Sequence, residues 1–178
     1  MSIKDLAIYL SSHLNKNGIE TVLSGGACVT IYTNNKYMSY DLDFVLLSHV
    51  LPKKIKEAMR KVGFREEGKY FKREETSYFV EFLQPPLSVG EEPVKEVWKI
   101  KEGSKVLALL SPTDCVKDRL AGFYHWNDRQ SLEQAILVYE ENPVDLKEVE
   151  RWSTNEGMIN KFELFKENLE KRKSEVKI

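Results

Sequence analysis

Cysteine is scarce in this sequence: Cys28 and Cys115 are the only two in 178 residues. Two cysteines cannot frame a disulfide-rich scaffold, and these two lack metal-type spacing, so a reducing cytoplasm is the expected setting. The three histidines, His13, His49 and His125, are scattered, which leaves no zinc pattern legible. An excess of one charge is missing too. Lys and Arg total 27 against 28 Asp and Glu, so no strong overall field favours nucleic acid or an anionic membrane. No apolar stretch approaches the length of a membrane span, and the N-terminus lacks the apolar core of a signal peptide. Neither G-x-x-x-x-G-K-[ST] nor G-x-G-x-x-G occurs, which excludes a P-loop and the dinucleotide fingerprint. Internal repeats and low-complexity segments are also absent.

What is present suits a folded domain. Apolar residues make up 42% of the chain, enough to bury a core. Ser2 with Asp5 resembles a capping box ahead of Ile3, Leu6, Ala7, Leu10 and Leu14 at helical spacing, with Gly18 as the stop. Ile19 to Ser24 reads as a strand, Ala27 to Tyr32 as a helix, and Tyr40 to Leu47 as a second strand. Pro52 opens a helix that Gly63 ends. The middle is strand-like, most clearly at Tyr78 to Leu83, Val94 to Ile100 and Lys105 to Leu110. Ser111-Pro112-Thr113-Asp114 starts a helix to about Tyr124, and Asn127 or Asp128 caps another. From Asp145 onward the chain is charged and helical and is expected to fray. Of the tryptophans, Trp98, Trp126 and Trp152 read as core or groove wall. Strands adjacent in sequence imply hairpins, so the fold class is α+β: a small mixed sheet backed by helices, residues 1–110, with a C-terminal helical region, residues 111–178, packed on it.

Asp41-Leu42-Asp43 opens the second strand. Alternate strand residues share a face, so Asp41 and Asp43 point the same way, roughly 7 Å apart along the backbone. Two like charges at the end of a buried strand repel and lose hydration, and a hard divalent cation relieves both problems. Two aspartates capping turns where the strand meets water is the plainer alternative. Thr21 to Ala27 runs strand, double glycine, helix. Gly25 and Gly26 permit a sharp turn and close approach, and a helix start offers free N–H groups suited to phosphate, with Ser24 adding a hydroxyl. Many such turns use glycine for shape alone. Glu81, an acid in the apolar run Tyr78 to Leu83, needs a partner: a cation shared with Asp41 and Asp43, or a salt bridge. Lys117, on the helix after Ser111, is a point charge able to reach a triphosphate tail, or the ion-pair partner of Asp114. Asp128 is explained equally well as a helix cap.

Taken together, these pieces resemble the nucleotidyltransferase superfamily: Gly25-Gly26 after a strand, Asp41-Leu42-Asp43 on the next strand, and Glu81 on a later one. The stretches from Ser24 to Ala27 and from Ser39 to Phe44 look most like its AbiEii-type branch, the toxins of some toxin–antitoxin pairs. Leu110 to Leu120 and His125 to Gln130 are similar to uncharacterised prokaryotic relatives. Where the branch often has an arginine two residues before its serine, Tyr37 stands here. The resemblance implies a nucleotidyltransferase fold and transfer of a nucleoside monophosphate from a nucleoside triphosphate to an acceptor hydroxyl on RNA (transfer RNA included), protein or a small molecule. It implies Asp41, Asp43 and Glu81 as catalytic, metal-holding acids for magnesium, or manganese in its place. Ser24, Gly25, Gly26, Ser39, Lys117 and Asp128 follow as nucleotide-binding positions, with an antitoxin-like protein as a partner. Some superfamily members bind nucleotide or partners without catalysis, and that is the alternative reading.

Overall fold

The computed structural model describes residues 1–176. Helix α1 (Ile3–Lys16) begins where the sequence places its cap: the Ser2 hydroxyl accepts from the Asp5 N–H, and the Asp5 carboxylate accepts from the Ser2 N–H. Its Ile3, Leu6, Ala7, Leu10 and Leu14 are buried as the spacing predicts. Strand β1 (Thr21–Ser24) runs into α2 (Gly25–Tyr32), so the double glycine forms the first turn of the helix. Strand β2 (Asp41–Leu46) follows, then α3 (Pro52–Arg60), opened by its proline.

The middle is a run of short strands: β3 (Arg65–Glu67), β4 (Tyr70–Lys72), β5 (Phe79–Leu83), β6 (Ser88–Val89), β7 (Glu92–Pro93), β8 (Val97–Glu102) and β9 (Lys105–Leu110). Seven of the strands form one sheet in the order β3-β4-β5-β2-β1-β9-β8, while β6 and β7 make a separate hairpin. The β1–β2, β3–β4, β4–β5 and β8–β9 pairs are antiparallel; β2–β5 and β1–β9 are parallel. The mixed sheet expected from the sequence is what forms. Strand β2 lies at its centre, which explains why Leu42, Phe44 and Leu46 are fully covered.

Helices α4 (Pro112–Trp126), α5 (Arg129–Glu141), α6 (Leu146–Asn155) and α7 (Ile159–Val176) complete the chain. The Ser111 hydroxyl caps α4 and the Asp128 carboxylate caps α5. The fraying expected after Asp145 does not occur over the described residues. Trp152, Phe162 and Phe165 are buried in the same apolar cluster as α1 and the sheet, and the Trp152 indole N–H donates to the Val89 carbonyl in β6. The many charges in this segment mask apolar residues that recur once per turn, and those residues anchor both helices. Trp126 departs from expectation in the other direction: at 83% exposure it is neither core nor groove wall. Trp98 is partly exposed and meets Tyr32 edge-on.

Candidate functional site

Register brings the acids together. Across the sheet, Ser24 stands opposite Asp43, Asp43 opposite Glu81, and Glu81 opposite Tyr70. One step along, Asp41 is opposite Phe79 and Phe79 opposite Lys72. Paired strand residues present their side chains to the same face, and residues two apart on a strand do likewise. Asp41, Asp43 and Glu81 therefore share one face of the sheet beside Ser24, although Glu81 lies about forty residues from the aspartates in the sequence.

The glycine turn lies against this face. Gly25 has φ of +69°, which favours glycine, and a Cβ there would collide with the Asp43 carboxylate, approaching its Cγ to 3.3 Å. A Cβ on Gly26 would meet the Ser39 Oγ at 3.0 Å. Ser24 does not cap α2; its hydroxyl donates to the Asp43 carbonyl at 3.3 Å, so the first amides of the helix have no side-chain cap. Ser39 is buried and donates its hydroxyl hydrogen to Asp41 Oδ1 at 2.6 Å. Its N–H donates to Thr30 Oγ1, which donates to the Gly26 carbonyl and ties the loop before β2 to α2.

The electrostatics follow from this crowding. Burial pushes the Asp43 carboxyl up to about 7, and the neighbouring charges of Asp41 and Glu81 add to the effect. Arg119 on α4 is the cation that opposes them. Its guanidinium is held by Asp118, with Nη2 at 2.5 Å, and by Gln134 at 3.2 Å. The same cation acts on Tyr37, whose phenol is raised by burial, opposed by Arg119, and raised further by Asp41 and Asp128. Asp128 thus stands at the margin of the site, its carboxyl held below the usual range by hydrogen bonds led by the one from Ser131.

Lys117 is not brought to this group. It is 8% exposed and its ammonium pairs with Asp114 at 3.5 Å and Glu148 at 3.0 Å, continuing through Arg151 to Glu92. It shares a small pocket with Trp98, Ser111 and Thr113 instead. Arg119, two residues on and on a different side of α4, is the cation whose charge acts on Asp43, and sequence reasoning did not single it out. The missing signal was the orientation of the helix: with Cys115, Val116, Leu120, Phe123 and Tyr124 all buried, apolar residues occupy most of its circumference and periodicity does not single out one face.

The three carboxylates fit a hard divalent cation in donor chemistry, in shared face and in the unpaired charge of Asp43, which has no ion-pair partner among the described residues. Two of them have other partners. Asp41 is turned to Ser39, and Glu81 to Lys69 at 3.2 Å. Accordingly, no three His, Cys, Asp or Glu side chains among the described residues converge closely enough to hold a metal as they stand. Beside the acids, a groove of about 710 Å³ is lined by Arg65, Tyr70, Lys72, Tyr78 and Phe79 among others.

No protein-family model and no curated protein matches this sequence. Solved structures do resemble the fold. An antigenic nucleotidyltransferase-like protein from Paracoccidioides brasiliensis superposes with a TM-score of 0.57 at 14% identity, over 77% of this chain and 75% of that one. The antibiotic-resistance factor ANT(2″)-Ia superposes with a TM-score of 0.50 at 10% identity, over 99% of this chain and 97% of that one. The chain has the nucleotidyltransferase fold. None of its described helices is long and apolar enough to cross a membrane.

Proposed function

We propose that the protein is a nucleotidyltransferase, moving a nucleoside monophosphate from a nucleoside triphosphate to an acceptor hydroxyl. One observation carries the reading: Asp43 and Glu81 stand opposite each other in register, with Asp41 on the same face and the Gly25 turn pressed against Asp43. The fold resemblance supports it, and so does the motif order in the sequence.

In this reading Asp41, Asp43 and Glu81 would hold magnesium or manganese, which when bound would neutralise negative charge on the phosphates. The uncapped amides at the start of α2, with Ser24 and Ser39 beside them, receive the phosphate tail. Arg119, its guanidinium held by Asp118 and Gln134, supplies positive charge toward the same tail. Asp128 fixes the start of α5 next to it. The acceptor enters along the groove of Tyr70, Tyr78 and Phe79. Its hydroxyl oxygen bonds to the α-phosphorus, the α–β bridging P–O bond breaks, pyrophosphate leaves, and the hydroxyl proton passes to Glu81. Most of the rate enhancement comes from positioning and charge neutralisation. The motif likeness to the AbiEii-type branch further suggests a toxin role with an antitoxin-like partner.

Purified protein, labelled triphosphates, magnesium and cell extract test the proposal. Label should pass to an extract component with the wild type and be lost with Asp43→Asn. Triphosphate binding without any transfer would reject the enzymatic reading and leave a nucleotide-binding protein.

A further inference from the structure

Of the two partners the sequence allows Glu81, the structure holds the salt bridge, and its cation is Lys69. Lys69, in the turn between β3 and β4, extends its ammonium to within 3.2 Å of Glu81 Oε1 and 3.4 Å of Oε2. The same ammonium lies 4.8 Å from the centre of the Tyr70 ring. Tyr70 is the register neighbour of Glu81, so pairing of β4 with β5 brings the lysine arm to the acid. The two ends of this ion pair differ in mobility: the lysine side chain is 63% exposed, the glutamate 19%. The acid is fixed by a strand inside the sheet, whereas the lysine hangs on a hairpin at the margin and can leave into water.

On the reading that Glu81 is the third acid of the site, we propose that Lys69 is its built-in counter-ion, which a divalent cation must displace before the three carboxylates close around it. The chemistry is competition for one carboxylate. A Glu81 carboxylate neutralised by an ammonium is a poorer donor to a metal, and its pair with Lys69 must open before both oxygens are free to donate. Displacement leaves the ammonium free on the same face as the phosphate oxygens, where a point charge is useful. Lys72 provides an internal comparison. It lies on the same hairpin, but its partner is Glu67 at 2.7 Å, and removing it should matter only through the general field.

Manganese binding, read by electron paramagnetic resonance of the free ion with no nucleotide or acceptor present, tests this directly. Lys69→Met should bind manganese about three- to fivefold more tightly than wild type, the scale on which an exposed ion pair acts. Lys72→Met should stay within about 1.5-fold of wild type on the same scale. In a Glu81→Gln background, Lys69→Met should make no difference, because the contested carboxylate is gone. If Lys69→Met matches wild type while Asp43→Asn abolishes binding, the cation site stands and the counter-ion role is overturned. Equal gains from Lys69→Met and Lys72→Met would overturn it as well, in favour of a nonspecific field. Absence of manganese binding in wild type and in Lys69→Met together would remove the cation site itself. Melting temperatures of each variant without metal identify any that fail to fold, and Lys69→Gln then replaces Lys69→Met as the neutral variant.

Discussion

The Asp43 carboxyl sits between the Gly25 turn and Glu81, and its protonation links the site to the stability of the fold. Its folded value of about 7 lies above its ordinary value of 3.8. The folded protein therefore keeps this proton up to about pH 7, while the unfolded chain gives it up near pH 4. The stabilising share is fully present below the unfolded value and is lost as pH rises through the folded one. Between those limits wild type should lose stability relative to Asp43→Asn, on the order of 3–5 kcal/mol. Urea titrations of both proteins at pH 5 and pH 8 measure the difference. Asp43→Asn should be the more stable of the two at pH 8 and the gap should shrink at pH 5. Added magnesium should close the gap at pH 8 by binding only the ionised wild-type site. A gap independent of pH would show that Asp43 is hydrated and ionised throughout.

Helix α4 carries two cations whose roles the sequence could not separate. Lys117 is enclosed by Asp114 and Glu148, and removing it strands the Asp114 carboxylate, which burial already holds above its usual range. Lys117→Met should cost about 3 kcal/mol of stability, the low end for breaking a buried pair, and leave triphosphate affinity in the folded fraction unchanged. Arg119→Met should also lower stability, since Asp118 and Gln134 lose their partner, but of the two it alone should weaken triphosphate binding, on the order of tenfold, through loss of a positive charge. Calorimetric titration with a non-hydrolysable triphosphate, paired with thermal unfolding of each variant, separates the two; weakened binding by Lys117→Met alone would reverse the assignment. The same helix shows what the sequence could and could not say. Caps and breakers fix where elements begin, so Ser2, Pro52, Ser111 and Asp128 were read correctly. Strand alternation placed Asp41 and Asp43 on one face. The pairing of β2 with β5 depends on which strands meet, a long-range matter, so the apolar run flagged Glu81 as an acid in need of a partner but left a shared cation and a salt bridge equally open. Strands β3 and β4 are three residues each, too short for periodicity, and with them Lys69 and the groove stayed out of sight.

The whole chain divides in sequence near Leu110 but not in its core. Helix α4 packs on α2, β6 and β9, and α5 packs on α2. Those elements contain Val29, Tyr32, Val89 and Leu110, all buried. Polar ties cross the same division: Asn142 donates to the Tyr32 carbonyl, and the Trp152 indole N–H donates to the Val89 carbonyl. A fragment of residues 1–110 would uncover side chains worth about 1.5–3 kcal/mol each on burial. A few of them match the net stability of a typical domain, about 5–15 kcal/mol. The fragment should therefore lack dispersed amide resonances, and the intact chain should melt in one cooperative transition with matching calorimetric and van 't Hoff enthalpies. Two separated transitions, or a fragment with a native-like spectrum, would show that the sheet stands alone. The site leads to the same expectation, since Asp41, Asp43 and Glu81 come from the sheet while Arg119 and Asp128 come from the helices. On the proposed reading, nucleotide binding draws on both parts, which gives them reason to fold as one unit.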